Sequence, residues 1–234
     1  MLRLEDVHAG YPHCPVLQGV DLSLDDGRCL AVLGRNGAGK TTLVKAIMGL
    51  IPLSAGKLLL DGADLSSARP SQRARLGLTQ VPQGREIFAG LTVFENLKVA
   101  ALIHGREGWR DRLDQILEEF PLLADRRNAG GDTLSGGQQQ ILAIARSLVM
   151  EPRILLLDEP TDGVQPSILD EIAETLLRVH RERGLTILLV EQKLDFAAQL
   201  AADALVMEGG RIRTQLPIAE LQQSRQLQRE LLAV

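Results

Sequence analysis

The segment LGRNGAGKTTL starts at Leu33 and places Gly34 five residues before Gly39, with Lys40, Thr41 and Thr42 following directly. It stands between an apolar run, Cys29–Leu33, and the helix-spaced residues Leu43, Val44, Ile47 and Met48. That is the setting in which GxxxxGK[ST] holds phosphates. Glycines let successive backbone N–H groups curve around phosphate oxygens, and a helix start adds the positive end of its dipole. Gly34, Arg35, Asn36, Gly37, Ala38, Gly39, Lys40, Thr41 and Thr42 are therefore the candidate nucleotide-binding residues. Lys40 reaches the β and γ phosphates, and the Thr41 hydroxyl coordinates Mg²⁺. A plain strand-to-helix turn accounts for the glycines but leaves the Lys40–Thr41 pair unexplained.

Such a metal site needs a carboxylate at the end of a neighbouring buried strand. ILLLDE, Ile154–Glu159, supplies Asp158 for Mg²⁺, and Glu159 beside it can orient and deprotonate an attacking water. An acid pair that merely opens a helix before Pro160 is the competing reading, and the phosphate loop outweighs it. A third segment, TLSGGQQQ from Thr133, reads as a helix start in which Ser135 is the N-cap and Gln138 completes a capping box. Capping leaves Gly136 and Gly137 unexplained, since each weakens a helix by about 1 kcal/mol relative to alanine. Bare backbone at a helix N-terminus suits the approach of another phosphate group.

The elements that must position these groups are legible as patterns. Val20, Leu22 and Leu24 alternate with polar residues, as in a half-buried strand of an N-terminal β region. Cys29–Leu33, Ile154–Leu157, Thr186–Val190 and Ala204–Met207 are unbroken apolar runs, typical of parallel strands covered on both faces. Ile168, Ile172, Leu176 and Val179 continue the alternation of strand and helix, so the core is a doubly wound α/β sheet. From about Phe88 to Met150 the signals are helical. There Trp109, Leu113, Ile116, Leu117 and Phe120 form one apolar stripe. The chain divides accordingly into an α/β core, 1–87 and 151–234, with a helical subdomain at about 88–150.

Composition narrows the function classes. The 234 residues carry 26 basic and 30 acidic side chains, a net charge of −4, with 45% hydrophobic and 24% charged residues. This is a globular composition with no basic excess, which argues against a nucleic-acid partner. Aromatic residues at 3% offer no stacking platform for single strands. Cys14 and Cys29 have no CxxC spacing, so neither a zinc site nor a disulfide framework is indicated. MLRLEDVHAG does not read as a signal peptide. No apolar run approaches the roughly 18 residues that cross a bilayer, so membrane work falls to partners.

With LGRNGAGKTT, LSGGQ and ILLLDEPT in this order, the chain resembles the ATP-binding subunits of ABC transporters over nearly its full length. The resemblance implies a phosphate-loop ATPase with a RecA-like core, an N-terminal antiparallel β subdomain and an inserted α-helical subdomain. It implies ATP and Mg²⁺ as ligands and head-to-tail pairing of two ATPase subunits. Ser135, Gly136, Gly137 and Gln138 of one subunit would then meet the γ-phosphate held by the other. Tyr11 matches the aromatic that stacks on adenine, a core tyrosine being the alternative. Gln83 in VPQGREIF matches the glutamine that touches Mg²⁺ and senses the permease, and Gly84–Leu97 would line the groove receiving a permease helix.

Two positions depart from the family pattern. Gln165 stands where an aspartate usually contacts the opposite subunit, and Gln192 in LLVEQ stands where a switch histidine is usual. None of His8, His13, His104 or His180 is placed to substitute. Since side chains alternate along a strand, only one of Glu191 and Gln192 can face the nucleotide. The family register selects Gln192, with positioning left to its amide and base chemistry to Glu159. VPQGREIF, DEPTDGVQPSI and VEQKLDFA resemble the branch that imports branched-chain amino acids and urea. Val164–Ile168 and Asp195–Ala197 make the urea subunit the nearer expectation and branched-chain amino acids the alternative. A non-transport ABC ATPase working on DNA or ribosomes is the reading from another class. The implied partners are a second ATP-binding subunit in a heterodimer, two transmembrane permeases and, indirectly, a soluble substrate-binding protein. The implied location is the cytoplasmic face of the plasma membrane. Arg211–Thr214 reads as a last strand, and the tail to Val234 as a helix.

Overall fold

The computed structural model describes residues 1–105 and 107–232. In chain order the first elements are β1 (Leu2–Tyr11), β2 (Cys14–Leu24), β3 (Cys29–Leu33), α1 (Lys40–Met48), β4 (Leu53–Leu60), β5 (Ala63–Asp64), α2 (Pro70–Arg75) and β6 (Leu78–Val81). Four helices follow: α3 (Val93–Ala101), α4 (Trp109–Glu119), α5 (Pro121–Asp125) and α6 (Gly136–Leu148). Then come β7 (Ile154–Asp158), α7 (Pro166–Arg183), β8 (Thr186–Glu191), α8 (Leu194–Leu200), β9 (Asp203–Glu208), β10 (Arg211–Pro217) and α9 (Ile218–Gln223).

The strands form two sheets. One is antiparallel with order β2-β1-β4-β5, and the other has order β10-β9-β3-β8-β7-β6 with only the β9–β10 pair antiparallel. Because side chains alternate across a strand, the parity of each central strand sorts its residues between two cores. Leu30, Val32, Ile154, Leu156, Leu188 and Val190 pack with α1 and the antiparallel sheet. Ala31, Leu33, Leu155, Leu157, Ile187 and Leu189 face the other way. There they share one continuous core with Val93 and Leu97 of α3, Leu113 and Ile116 of α4, Ile141 and Leu148 of α6, and Ile172 and Leu176 of α7. The helical segment is thus packed onto the sheet and not merely tethered to it.

The apolar stripe of α4 is buried at Leu113, Ile116, Leu117 and Phe120, while Trp109 is partly covered and stands edge-on to Phe94. At the C-terminus of α1, the fully buried guanidinium of Arg73 occupies the orphan carbonyls. It donates to Ala46 O and Ile47 O at 2.7 Å, and also to Leu65 O, Ser66 O and Ala68 O. Among the described residues Arg73 forms no ion pair; the carbonyls at the end of α1 and those of Leu65, Ser66 and Ala68 offset its charge.

The C-terminal expectation needs correction in two respects. The last strand runs to Pro217, not Thr214, and the tail is not one helix. The α9 helix stops where Ser224 takes up an extended conformation, φ −120° and ψ 100°, and a short turn and a π-type segment, Gln228–Leu232, follow. Leu221 and Leu232 anchor these pieces in the core. Val234 lies outside the described residues.

Candidate nucleotide site

The phosphate loop forms where β3 ends, and two of its glycines are needed for different reasons. Gly39, the N-cap of α1, has φ +107°, a conformation that side-chain-bearing residues avoid. At Gly34 a Cβ would lie 2.4 Å from the Met207 carbonyl oxygen, so here the demand is close packing against β9. Lys40 is the first residue of α1 and is buried; its ammonium donates to Gly34 O at 2.8 Å and Arg35 O at 3.1 Å. The Thr41 hydroxyl donates to Asp158 Oδ1 at 3.1 Å, joining α1 to the end of β7. Val16, Asn36, Gly37, Gly39, Lys40, Thr41, Thr42, Gln83 and Glu159 line one cavity of about 300 Å³. A larger cleft of about 920 Å³ opens past Gln192 along Pro166, Leu169 and Phe196. Lys40 and Thr41, the candidate phosphate and metal ligands, line the smaller one.

Glu159 is the hub of the cavity. Its backbone is left-handed at φ +47°, held by an amide bond to Val190 O at 2.9 Å. Its carboxylate accepts from three donors. Lys40 Nζ is 2.9 Å from Oε1, Gln192 Nε2 is 3.1 Å from Oε1, and Gln83 Nε2 is 3.0 Å from Oε2. Burial pushes the Asp158 carboxyl up to about 6, partly opposed by the Thr41 hydrogen bond and Lys40 and reinforced by the neighbouring Glu159 charge.

Strand parity sends Glu191 and Gln192 to opposite sides. Gln192 lines the larger cleft and donates to two residues of the phosphate cavity, Glu159 and Asn36. Glu191, 1% exposed, turns to the opposite side and accepts from the amides of Thr161, Gln192 and Lys193. It fixes the loop after Glu159, a task that the sequence reading did not assign to it. The signal was available in an acid that ends a wholly buried strand and can survive there only by accepting hydrogen bonds. Of the histidines, His180 is on α7 bonded to Leu185 O, and His8 and His13 are in the β1–β2 hairpin. The side chain of His104 lies outside the described residues.

Tyr11 is 46% exposed at the hairpin end of β1, so the core-tyrosine alternative is excluded. Across the hairpin, Val16 lines the cavity, a residue not anticipated from the sequence. Ser135 and Gln138 form the expected reciprocal cap, with bonds of 3.3 and 2.9 Å. None of Ser135, Gly136, Gly137 and Gln138 lines the phosphate cavity of its own chain. The two glycines also have local neighbours: a Cβ on Gly136 would meet the Arg85 guanidinium at 3.0 Å, and one on Gly137 would meet Ile168 at 3.2 Å. Of Gly84–Leu97, residues 84–92 form a loop closed by the buried Asn96 amide on Phe88, Leu91 and Thr92, and the rest is the start of α3 with its Thr92–Glu95 capping box. Phe88, Val99 and Ile103 are exposed around it.

Among the described residues, no cluster of three or more His, Cys, Asp and Glu side chains could hold a metal ion. Thr41, Asp158 and Gln83 instead offer the few oxygens that fit a Mg²⁺ completing its shell with phosphates and water. No helix among the described residues is long and apolar enough to cross a membrane.

A phosphate loop after β3, a carboxylate pair at the end of β7 beyond β8 in the sheet and two amides converging on the second carboxylate define a nucleotide-hydrolysing α/β protein. Comparison with known proteins names the family. Residues 17–162 match the ABC transporter family model. The chain is 39% identical over 212 residues to the probable branched-chain amino acid transport ATP-binding protein LivF of Archaeoglobus fulgidus, covering 91% of this chain and 90% of that one. It is 37% identical over 212 residues to the high-affinity branched-chain amino acid transport ATP-binding protein BraG of Pseudomonas aeruginosa, covering 91% of each. Among solved structures, cbiO1 from Clostridium perfringens, part of the ABC transporter complex cbiONQ, superposes with a TM-score of 0.84 at 28% identity over 98% of this chain and 93% of that one. The chain belongs to the ABC transporter family and has the ABC ATPase fold, with its antiparallel sheet and helical subdomain; it is an ATP-hydrolysing ABC transporter subunit.

Proposed function

We propose that this chain energises an ABC importer for branched-chain amino acids, working at the cytoplasmic face of the plasma membrane through two permease subunits. The two amino-acid-transport relatives favour this substrate class over urea, the nearer expectation from Val164–Ile168 and Asp195–Ala197. In this reading Lys40 and the loop amides hold the β and γ phosphates, and Tyr11 and Val16 receive the base. Thr41, Asp158 and Gln83 hold Mg²⁺, which when bound offsets phosphate charge. Glu159 takes the proton of the attacking water, while Gln192 and Gln83 orient its carboxylate.

The observation that carries the reading is division of the machinery. Val16, Lys40, Thr41, Gln83 and Glu159 line one cavity, Asp158 and Gln192 are hydrogen-bonded to its lining, and Tyr11 is exposed at the end of the hairpin that carries Val16, whereas Ser135–Gln138 are placed elsewhere on the chain. A second ATP-binding subunit, paired head to tail, would supply that turn to this nucleotide, and a soluble binding protein would deliver the substrate. The test is Glu159→Gln in the complex with which the chain copurifies. ATP binding should persist while hydrolysis and ATP-dependent leucine uptake are lost. Undiminished turnover would sink the catalytic reading, and uptake of urea instead of leucine would overturn the substrate.

A further inference from the structure

We infer that Arg85 is a positioning residue for ATP hydrolysis, a strut joining the Ser135–Gln138 turn to the loop that follows Glu159. Its guanidinium lies between two segments remote in sequence. It donates at 3.3 Å to Gln139 Oε1 in the first turns of α6 and, again at 3.3 Å, to the carbonyls of Asp162 and Gly163. These acceptors are all neutral oxygens. The guanidinium also lies so close to the bare backbone of Gly136 and Gly163 that a Cβ at either would meet it at 3.0 or 3.1 Å.

The backbone that delivers this side chain is strained. Gly84, Arg85 and Glu86 are all left-handed, at φ +85°, +72° and +47°, and two of them carry side chains. Arg146 of α6 restrains the segment from the other side, donating to Glu86 O at 2.8 Å. Such strain persists only where its surroundings hold it, and here both arginine contacts involve α6. Two residues upstream, Gln83 donates to Glu159. One short segment therefore grips the catalytic carboxylate with an amide, α6 with one edge of a guanidinium and the Asp162–Gly163 loop with the other.

The charge points to function as well. A cation beside a helix N-terminus opposes the helix dipole, so Arg85 is poorly placed for the stability of α6. It is well placed to strengthen a positive turn that receives an anion. This inference rests on the proposal that the Ser135–Gln138 turn meets a nucleotide phosphate.

The experiment compares ATP affinity and ATP turnover for Arg85→Ala, Arg85→Lys, Gln139→Ala, the Arg85→Ala/Gln139→Ala double variant and Ser135→Arg, each in the copurifying complex. Arg85→Ala should lower kcat at least about tenfold while ATP affinity stays within about threefold, because the phosphate loop does not touch Arg85. Gln139→Ala should lower kcat in the same sense, and the double variant should be no worse than Arg85→Ala, since the pair acts as one unit. Arg85→Lys should recover little, because a single ammonium cannot span both segments. Unchanged kcat in Arg85→Ala, proportionate loss of affinity and kcat, or full recovery by lysine would each overturn the proposal. Where Arg85→Ala does not fold, the Gln139→Ala result decides alone. Full turnover in Ser135→Arg would instead refute the underlying role of the turn, separating the two failures.

Discussion

The ammonium of Lys40 and the carboxylate of Glu159 stand 2.9 Å apart with side-chain exposures of 3% and 10%, so the proposed phosphate-binding cation and the proposed catalytic base form one buried ion pair. Under the proposed function, incoming phosphate would compete with Glu159 for the same lysine. Exchanging that partner would release the carboxylate toward water and so link binding to activation.

Removing one member of such a pair strands the other. Lys40→Met should abolish measurable ATP affinity and also destabilise the fold by about 3 kcal/mol, because Glu159 is left buried without its cation. Lys40→Met/Glu159→Gln should regain most of that loss in urea unfolding. A double variant no more stable than the single one would show that the pair does not carry the penalty.

Asp158 gives a pH signature. Its folded value of about 6 lies above the usual 3.8, so the native state binds its proton more tightly than the unfolded chain. The stability associated with that proton is full below about pH 4 and is lost as pH rises through 6. Asp158→Asn should therefore raise the melting temperature at pH 7.5 in metal-free buffer, and the difference should vanish toward pH 4. Equal gains at both pH values would contradict burial as the cause.

Gln165 is the N-cap of α7 but makes no side-chain cap bond, with Pro166 directly after it. A shorter carboxylate can reach the free amides of the first turn. Gln165→Asp should stabilise the chain by about 1 kcal/mol, measured by thermal or urea unfolding. If the usual cross-subunit contact returns with it, ATP-dependent pairing should strengthen as well.

The site was readable from sequence wherever chemistry demanded a residue type at fixed spacing. Gly34–Thr42, Asp158 and Glu159 could be singled out as candidates without the structure, which brings Lys40, Thr41, Asp158 and Glu159 together, and four apolar runs located four central strands to within one residue at either end. The remainder depended on contacts between distant segments. Nothing local marks Arg73 as the cap of α1, because its acceptors come from two separate stretches of chain. Nor does VPQGREIF alone reveal that Arg85 reaches Asp162 and Gly163. The tail misread as one helix has suitable composition, but Ser224 and the packing of Leu221 and Leu232 break it into pieces.

Strand parity also determines how the site tolerates insertion and deletion. Asp158 shares the side of Ile154 and Leu156, and Gln192 shares that of Leu188 and Val190; Glu191 belongs to the other side. Losing one codon inside β8 would bring the wrong polar residue to the nucleotide. The same lesion would turn the apolar residues between the deletion and Glu191 toward the wrong core. The polar end of β8 is therefore open to change by substitution, which leaves both cores intact, and closed to change by deletion, which does not.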